Sequence, residues 1–339
     1  MADAGEAEGG AEGTGPGGVQ AGGVEAVGLD IGGTKIAGFR VTAEGHVVER
    51  VVAPTPAGDS REVFAAVEVV ARRVVRGRAA AIGVGVAGIV EYPAGIMRYG
   101  PNLPFRDLPL RDWLSGSTGL PCVVDNDANV AGWGEFRLGA GRGSSHMLLV
   151  TVGTGIGGAI VAGGRLFRGA HGFGAEIGHI IVEPGGPVCG CGNEGCWEQV
   201  ASGRAIGRLG REAAAREPGS LLVQFADGDP SMVTGLVVTA AAKQGDLVAV
   251  AVLAEVGRRL GEGIAGLVNV LDPEVVVVGG GAIDAGDLLL EPAREAYRGA
   301  VEASEFRPDV PMLAASLGND AGAVGAALLA LEEPLPGGP

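Results

Sequence analysis

The sequence predicts an α/β protein in two halves that share one plan, and three observations predict it. Residues 24–54 and 146–169 both open as an apolar strand, a glycine-rich turn and a second strand. Downstream of each opening, helix-spaced apolar stripes alternate with short buried strand runs. The 339 residues, 47% hydrophobic and 19% charged, exceed one minimal domain and suffice for two cores of ordinary size.

The elements follow in order. Residues 1–23 are mostly Gly, Ala and Glu. They bury too little apolar surface to offset chain entropy and are predicted to be disordered. From Val24, VEAVGLD, KIAGFRVT and HVVERVVAP read as a three-strand meander, with turns at Gly32-Gly33 and Glu44-Gly45. Asp59 with Glu62 marks a helix start, Val63, Val67, Val70 and Val74 form its stripe, and Gly77 is expected to end it. Residues 79–90 read as a buried strand entering a glycine turn, and CVVD (122–125) as a strand that runs into a helix beside Asp127. In the second half HMLLVTV is a strand, GTGIGG (153–158) a turn, AIVA a strand and RLFRG a further strand. Leu253, Val256, Leu260, Ile264, Leu267 and Leu271 stripe a long helix that Asp272-Pro273 stops. VVVV (275–278) is then a buried parallel strand closed by Gly279, Gly280 and Gly281.

The net charge of −15 and pI of about 4.7 repel nucleic acid and acidic membranes, so an anionic ligand has to be held by local donors. The first basic residue is Lys35, which excludes a basic N-terminal arm. Neither a signal peptide nor an apolar run of about 18 residues is present, and the four cysteines, three of them within residues 189–196, do not form a secreted disulfide framework. The expectation is a cytoplasmic protein without a membrane or nucleic-acid partner.

Two segments, 83–88 and 153–158, match G-x-G-x-x-G. A dinucleotide site needs a helix straight after the glycines, but Gly158 is followed by a hairpin pattern, which argues against a dehydrogenase. Hairpin tips rich in glycine hold phosphates by another route, through backbone N–H groups with no side chain in the way. DIGGTK (30–35) and GTGIGG occupy matching positions in the two halves, so Gly32, Gly33, Thr34, Gly153, Thr154 and Gly155 are candidates to clamp a triphosphate between them. Asp30, at a strand end, is placed to orient Mg²⁺ through water. Cys189, Cys191 and Cys196, with His179 ten residues before the first, supply four ligands for a tetrahedral zinc with no open position, hence a structural one.

DIGGTK, DNDAN, TVGTGIGG, GAEIGH, CGCGNEGCWE and LGNDAGAVGAA occur in the order in which they stand in the ROK proteins, bacterial sugar kinases and repressors of the actin-like ATPase superfamily. The chain resembles that family from about Val24 to Leu331, and within it the actinobacterial ATP-dependent glucokinases. The resemblance implies two α/β domains with an RNase H-like core closing on a sugar in an interdomain cleft. Residues 24–132, completed by a helix at about 319–332, would form the first, and 133–318, with a zinc loop at 179–198, the second. It implies Asp127 as catalytic base, with Asn102, Asn126, Asp127, Glu176, His179 and Glu198 on the sugar. It also puts Gly279, Gly280 and Gly281 at the adenosine end. Lys35 is either a phosphate contact or a plain surface charge. Asp125 stands where the family often has glutamate, a departure expected to be neutral. Implied ligands are ATP, Mg²⁺, structural Zn²⁺ and a hexose, glucose foremost, in a homo-oligomeric dimer or tetramer. A repressor would need a helix-turn-helix segment before the first phosphate loop, which residues 1–23 do not supply, and polyphosphate-using relatives tend to lack the cysteine loop.

Overall fold

Beginning at Glu25, strand-forming residues and turn glycines build a meander of β1 (Glu25–Ile31), β2 (Lys35–Thr42) and β3 (Val47–Pro54) in the computed structural model, which describes residues 23–75, 77 and 79–333. The tail expected at 1–23 lies outside the described residues except for Gly23. α1 (Ser60–Val74) follows, capped by Asp59, whose carboxylate accepts from the Arg61 and Glu62 amides. β4 (Ala79–Val86) is followed by three short strands, β5 (Ile89–Glu91), β6 (Ile96–Tyr99) and β7 (Arg106–Leu108), which form a small antiparallel sheet of their own. α2 (Leu110–Thr118), β8 (Cys122–Asn126) and α3 (Asp127–Arg137) complete the first half.

The second half opens with β9 (Met147–Val152), β10 (Ile156–Ala162) and β11 (Arg165–Leu166). Five helices come next: α4 (Glu198–Ala201), α5 (Gly203–Arg216), α6 (Leu221–Phe225), α7 (Gly235–Lys243) and α8 (Leu247–Leu271). β12 (Val275–Gly279), α9 (Asp287–Ala300), β13 (Met312–Ala314) and α10 (Ala321–Glu332) close the chain. Asp272 ends α8 in the left-handed conformation, φ 44°.

The two large sheets have the same topology. One runs β3-β2-β1-β4-β8 and the other β11-β10-β9-β12-β13. In each, an antiparallel meander is extended by two parallel strands. The plan that the two halves share in sequence is therefore a shared sheet order.

α3 and α10 fill the space between the sheets. α10 is almost wholly small and apolar, and Gly28 and Gly83 let it lie on β1 and β4. A Cβ at Gly28 would come within 1.7 Å of the Ala323 carbonyl oxygen, and one at Gly83 within 1.8 Å of that of Ala326. Val130, Trp133 and Val324 share a buried cluster on this face, while Val63, Val67, Leu110 and Leu114 cover the other face of the first sheet. α8 and α9 back the second sheet through Leu260, Ile264, Leu290 and Tyr297. Among the described residues no single helix is long and apolar enough to cross a membrane.

Three local expectations need correction. α1 ends at Val74, before Gly77, because Val75 leaves helical geometry (ψ 74°) while its N–H still closes on Ala71. The turn in GTGIGG stops at Gly155, since buried Ile156 already pairs with Val152. RLFRG is strand only at Arg165 and Leu166. Beyond Phe167 the chain leaves the sheet, and Arg168 turns toward the first half.

Candidate active site

The ends of β1, β8, β9 and β12 meet one cleft, and the glycine-rich segments follow from strands that stop there. The first tip, Gly32 to Thr34, is held by Thr55, whose hydroxyl donates to Gly32 O at 2.6 Å and whose amide donates to Thr34 O at 3.0 Å. The second tip closes on itself, Gly153 N to Gly155 O at 3.0 Å, and is held from α5 by Gly203 N to Gly153 O at 2.8 Å. Gly279 pairs with Thr151 at the end of β9, so Gly279, Gly280 and Gly281 stand beside the second tip. Gly280 adopts φ 86°, and a Cβ there would come within 2.5 Å of Val152 O. Lys35 is half-buried as the first residue of β2, next to the first tip.

Asp127 sits where β8 becomes α3. Asn126 is the helix cap: its Oδ1 accepts from Ala128 N at 2.8 Å and Asn129 N at 3.2 Å, and its Nδ2 donates to Gly88 O at 3.1 Å. Its other Nδ2 hydrogen goes to the Asp127 carboxyl. The cap falls mainly to Asn126, and the Asp127 carboxylate beside it accepts from Ala128 N at 3.0 Å. Surrounding atoms desolvate its carboxyl and raise its pKa, against bonds to the Ala128 and Asp127 amides and the Asn126 side chain.

Asp30 is raised to about 6, first by burial and then by the charge of Asp127, with Lys35 pulling the other way. Glu176 is also raised, by desolvation and by Asp127 and Glu198, while His179 lowers it. Asp127 therefore acts on both Asp30 and Glu176, and Glu198 acts on Glu176. The second tip also touches this group, and the first packs on Asn102. A Cβ at Gly33 would come within 2.7 Å of Asn102 Cβ, and one at Gly155 within 2.3 Å of Glu198 Oε2. The Asn102 loop is organised by Arg106, whose Nη1 donates to Phe105 O at 2.6 Å and Gly100 O at 3.2 Å, with the guanidinium 4.4 Å from the Tyr99 ring centroid.

The cysteine loop lies on the far side of Glu198. His179, Cys189, Cys191 and Cys196 bring their ligand atoms within 4.8 Å of one another. Cys191 and Cys196 sulfurs are 3.6 Å apart, as are Cys189 Sγ and His179 Nδ1. That spacing is too long for a disulfide, about 2 Å, and close to the ~3.7 Å between thiolates around a tetrahedral zinc with bonds of about 2.3 Å. The donor set therefore fits a metal of this kind. Cys189 donates to Glu198 Oε1 at 3.1 Å, and Trp197 is fully buried, with its indole N–H on Arg259 O at 3.0 Å. Glu198 thus lies between the cysteine loop and an indole packed against α8.

The family model described as ROK family matches residues 26–333. The chain belongs to the ROK family. It is similar to the glucokinase of Streptomyces coelicolor, 42% identical over 294 residues, which are 86% of this chain and 93% of that one. Among solved structures it is similar to a ROK family glucokinase from Streptomyces griseus in complex with glucose and AMPPNP, 42% identical with a TM-score of 0.82, covering 91% of this chain and 100% of that one. It is also similar to the ROK hexokinase of Thermus thermophilus, 38% identical with a TM-score of 0.75, covering 91% and 98%.

Within this ROK fold, sequence reasoning missed the groups that hold the site from behind. Arg106 was one. Arg168 and Glu333 were others, and no motif or spacing signals them: Arg168 bonds Glu333 across 165 residues of chain and Asp125 across 43. Glu135 is a third case. It is buried in α3, and its carboxylate accepts from Ala140 N, Ser316 N and Leu317 N, which joins the two crossings between the halves.

Proposed function

We propose that the chain is an ATP-dependent glucokinase that transfers the γ-phosphoryl group of ATP to the 6-hydroxyl of glucose. The observation that carries this reading is the convergence of Asp127, Glu176 and Glu198 on a space bordered by two glycine tips. The likeness to a glucokinase bound to glucose and AMPPNP, an ATP analogue, supports it.

In the reaction the sugar O6 forms a bond to the γ-phosphorus, the bond from that phosphorus to the β–γ bridging oxygen breaks, and ADP leaves. Phosphoryl transfer has a loose transition state, so Asp127 first orients the hydroxyl and takes its proton late. Desolvation of its carboxyl makes it a better acceptor than an ordinary aspartate. Glu176, Glu198, Asn102, Asn126 and His179 would hold ring hydroxyls, with the carboxylates as paired acceptors. Gly32, Gly33, Thr34, Gly153, Thr154 and Gly155 would give N–H and hydroxyl donors to the phosphates, aided by Lys35. Gly279, Gly280 and Gly281 would border the adenosine.

Asp30 fits a magnesium ion, held through water, because a carboxyl desolvated and facing Asp127 ionises at a cost that a cation would relieve. Bound there, magnesium would offset phosphate charge. Zinc on His179, Cys189, Cys191 and Cys196 would be structural, since four protein ligands fill a tetrahedral shell.

The architecture supports an actin-like, RNase H-like reading with two lobes, 24–132 plus 319–332 and 133–318, although α3 runs across the 132/133 division. The negative charge and unpaired cysteines support a cytoplasmic protein without nucleic-acid or membrane partners. The family resemblance supports a homo-oligomer, which sedimentation would count.

The deciding assay is ADP release with ATP, Mg²⁺ and glucose, mannose, fructose or N-acetylglucosamine. Turnover highest with glucose is expected. A higher kcat/KM for another sugar would move the substrate, and silence on all four would remove the kinase reading.

A further inference from the structure

One buried ionic network is used neither by the tips nor by the sugar carboxylates. Asp125 is almost completely buried, its side chain 1% exposed. Its Oδ1 accepts from Asn126 N and from Asn129 Nδ2, both at 2.8 Å. Its Oδ2 takes Arg168 Nε at 2.6 Å. The other arm of the same guanidinium, Nη2, reaches Glu333 Oε1 at 2.9 Å. Glu333 Oε2 accepts the Tyr92 hydroxyl at 2.6 Å, and the guanidinium carbon lies 4.0 Å from the Tyr92 ring centroid. Arg168 therefore has a carboxylate on each of two arms and an aromatic face beneath it, an arrangement that suits a planar fork and not an ammonium.

The positions of these residues in the chain give the network its meaning. Asp125 precedes Asp127 by two residues, at the junction of β8 and α3. Arg168 opens a strap, residues 167–174, that leaves the second sheet, crosses to the first half and leads directly to Glu176. The strap is pinned there by Tyr92 N to His171 O at 3.1 Å, and by backbone so close that a Cβ at Gly172 would come within 2.6 Å of Tyr92 N. One side chain thus joins the segment that carries Asp127 to the segment that carries Glu176.

We infer that Arg168 is a positioning residue of the sugar site. Through Asp125 it sets the turn that presents Asp127, and through the strap it sets Glu176, so the base and a sugar-holding carboxylate keep one separation. The inference rests on the glucokinase reading of the cleft. It also gives Asp125, expected to be a neutral departure from glutamate, a definite task. The shorter carboxylate is the partner that Arg168 grips.

The test uses the full chain with Arg168→Ala, Arg168→Lys and Asp125→Asn. It measures kcat, the KM values for glucose and ATP, glucose affinity by calorimetry without nucleotide, and melting temperature. Arg168→Ala is expected to lower kcat about 100-fold, a cost that a misplacement near 1 Å can carry. It should weaken glucose binding about tenfold and leave the ATP KM within about twofold. Arg168→Lys should fall between it and the parent. Millimolar guanidinium should recover part of the kcat of Arg168→Ala while doing nothing for the parent.

A folded Arg168→Ala with parental kcat and glucose affinity overturns the inference. So do glucose and ATP parameters that decline together with melting temperature and ignore guanidinium, since that is a structural role alone. If Arg168→Ala fails to fold, Asp125→Asn, which keeps shape and removes the paired charge, carries the same expectations and the same refutation. If the parent binds glucose but phosphorylates no sugar, the kinase reading fails, and calorimetry on the variants still decides on Arg168. A parent that neither binds nor turns over glucose overturns both.

Discussion

The β1–β2 hairpin and the β9–β10 hairpin occupy equivalent places in two sheets of identical order, yet they end in different chemistry. The first tip is flanked by charge, Asp30 before it and Lys35 after it, and it leans on the Asn102 loop. The second has no charged residue from Gly153 to Gly158, and it leans on Glu198 and on the start of α5. Duplication supplied two backbone cradles, and side chains then divided the labour. In this reading the first half brings the charged groups of the reaction, Asp30 and Asp127. The second brings neutral phosphate donors and the sugar carboxylates, steadied by the cysteine loop.

The division is broken most directly at Asp127. Asp127→Ala should cost at least about 100-fold in kcat while glucose affinity changes little. Loss of affinity equal to the loss of kcat, measured by calorimetry beside steady-state rates, would mean that the first half binds as much as it reacts.

Asp30 sharpens the comparison through stability. Its folded pKa, about 6, lies above the ordinary 3.8, so folding favours the protonated form and the ionised form costs stability. That cost is absent below about pH 4, grows between 4 and 6 and is complete above 6. Asp30→Asn should therefore stabilise the apo chain by about 1–3 kcal/mol at pH 7, after allowance for the edge that still meets solvent, and lower its activity. A melting-temperature gain at pH 7 that disappears near pH 4 is the expected pattern. A variant less stable at pH 7 would contradict it.

A milder effect belongs to the second half. Cys191→Ser should release the metal, read as zinc per chain by elemental analysis, and raise the glucose KM about tenfold, with a smaller change in kcat. An unchanged metal content would remove Cys191 from the ligand set. Smallest of all, Thr154→Ala removes one neutral donor worth about 1 kcal/mol and should raise the ATP KM about fivefold. A glucose KM that moved instead would assign the second tip to the sugar.

Legibility followed the range over which each signal acts. Both hairpins could be read because alternation and turn glycines are local, and the cysteine cluster because three ligands fall within eight residues. Asp125, Asn126 and Asp127 were legible as polar residues at a strand-to-helix junction, but only the family resemblance singled out Asp127 as the base, and Asn126 spends its side-chain oxygen on the cap. β5, β6 and β7 were missed because runs of three or four residues, broken by Pro93, Gly95 and Pro101, carry no period. Arg168, Arg106 and Glu135 were invisible for another reason. Each acts by a geometry that appears only when distant segments meet.

The helix that seals the first sheet also sets the order in which the molecule can be finished. α10 lies more than two hundred residues beyond β4, the strand it covers, and its small side chains fit backbone left bare at Gly28 and Gly83. During synthesis the first sheet, with Ala37, Phe39 and Val41 on the face that α10 shares with α3, emerges and waits only partly covered while the whole second half is made. A ribosome that stalls anywhere in the second half leaves an open apolar face and an Asp30 that lacks its neighbour Gly322. Such a fragment is a substrate for chaperones and proteases, and it carries a nucleotide cleft that was never closed.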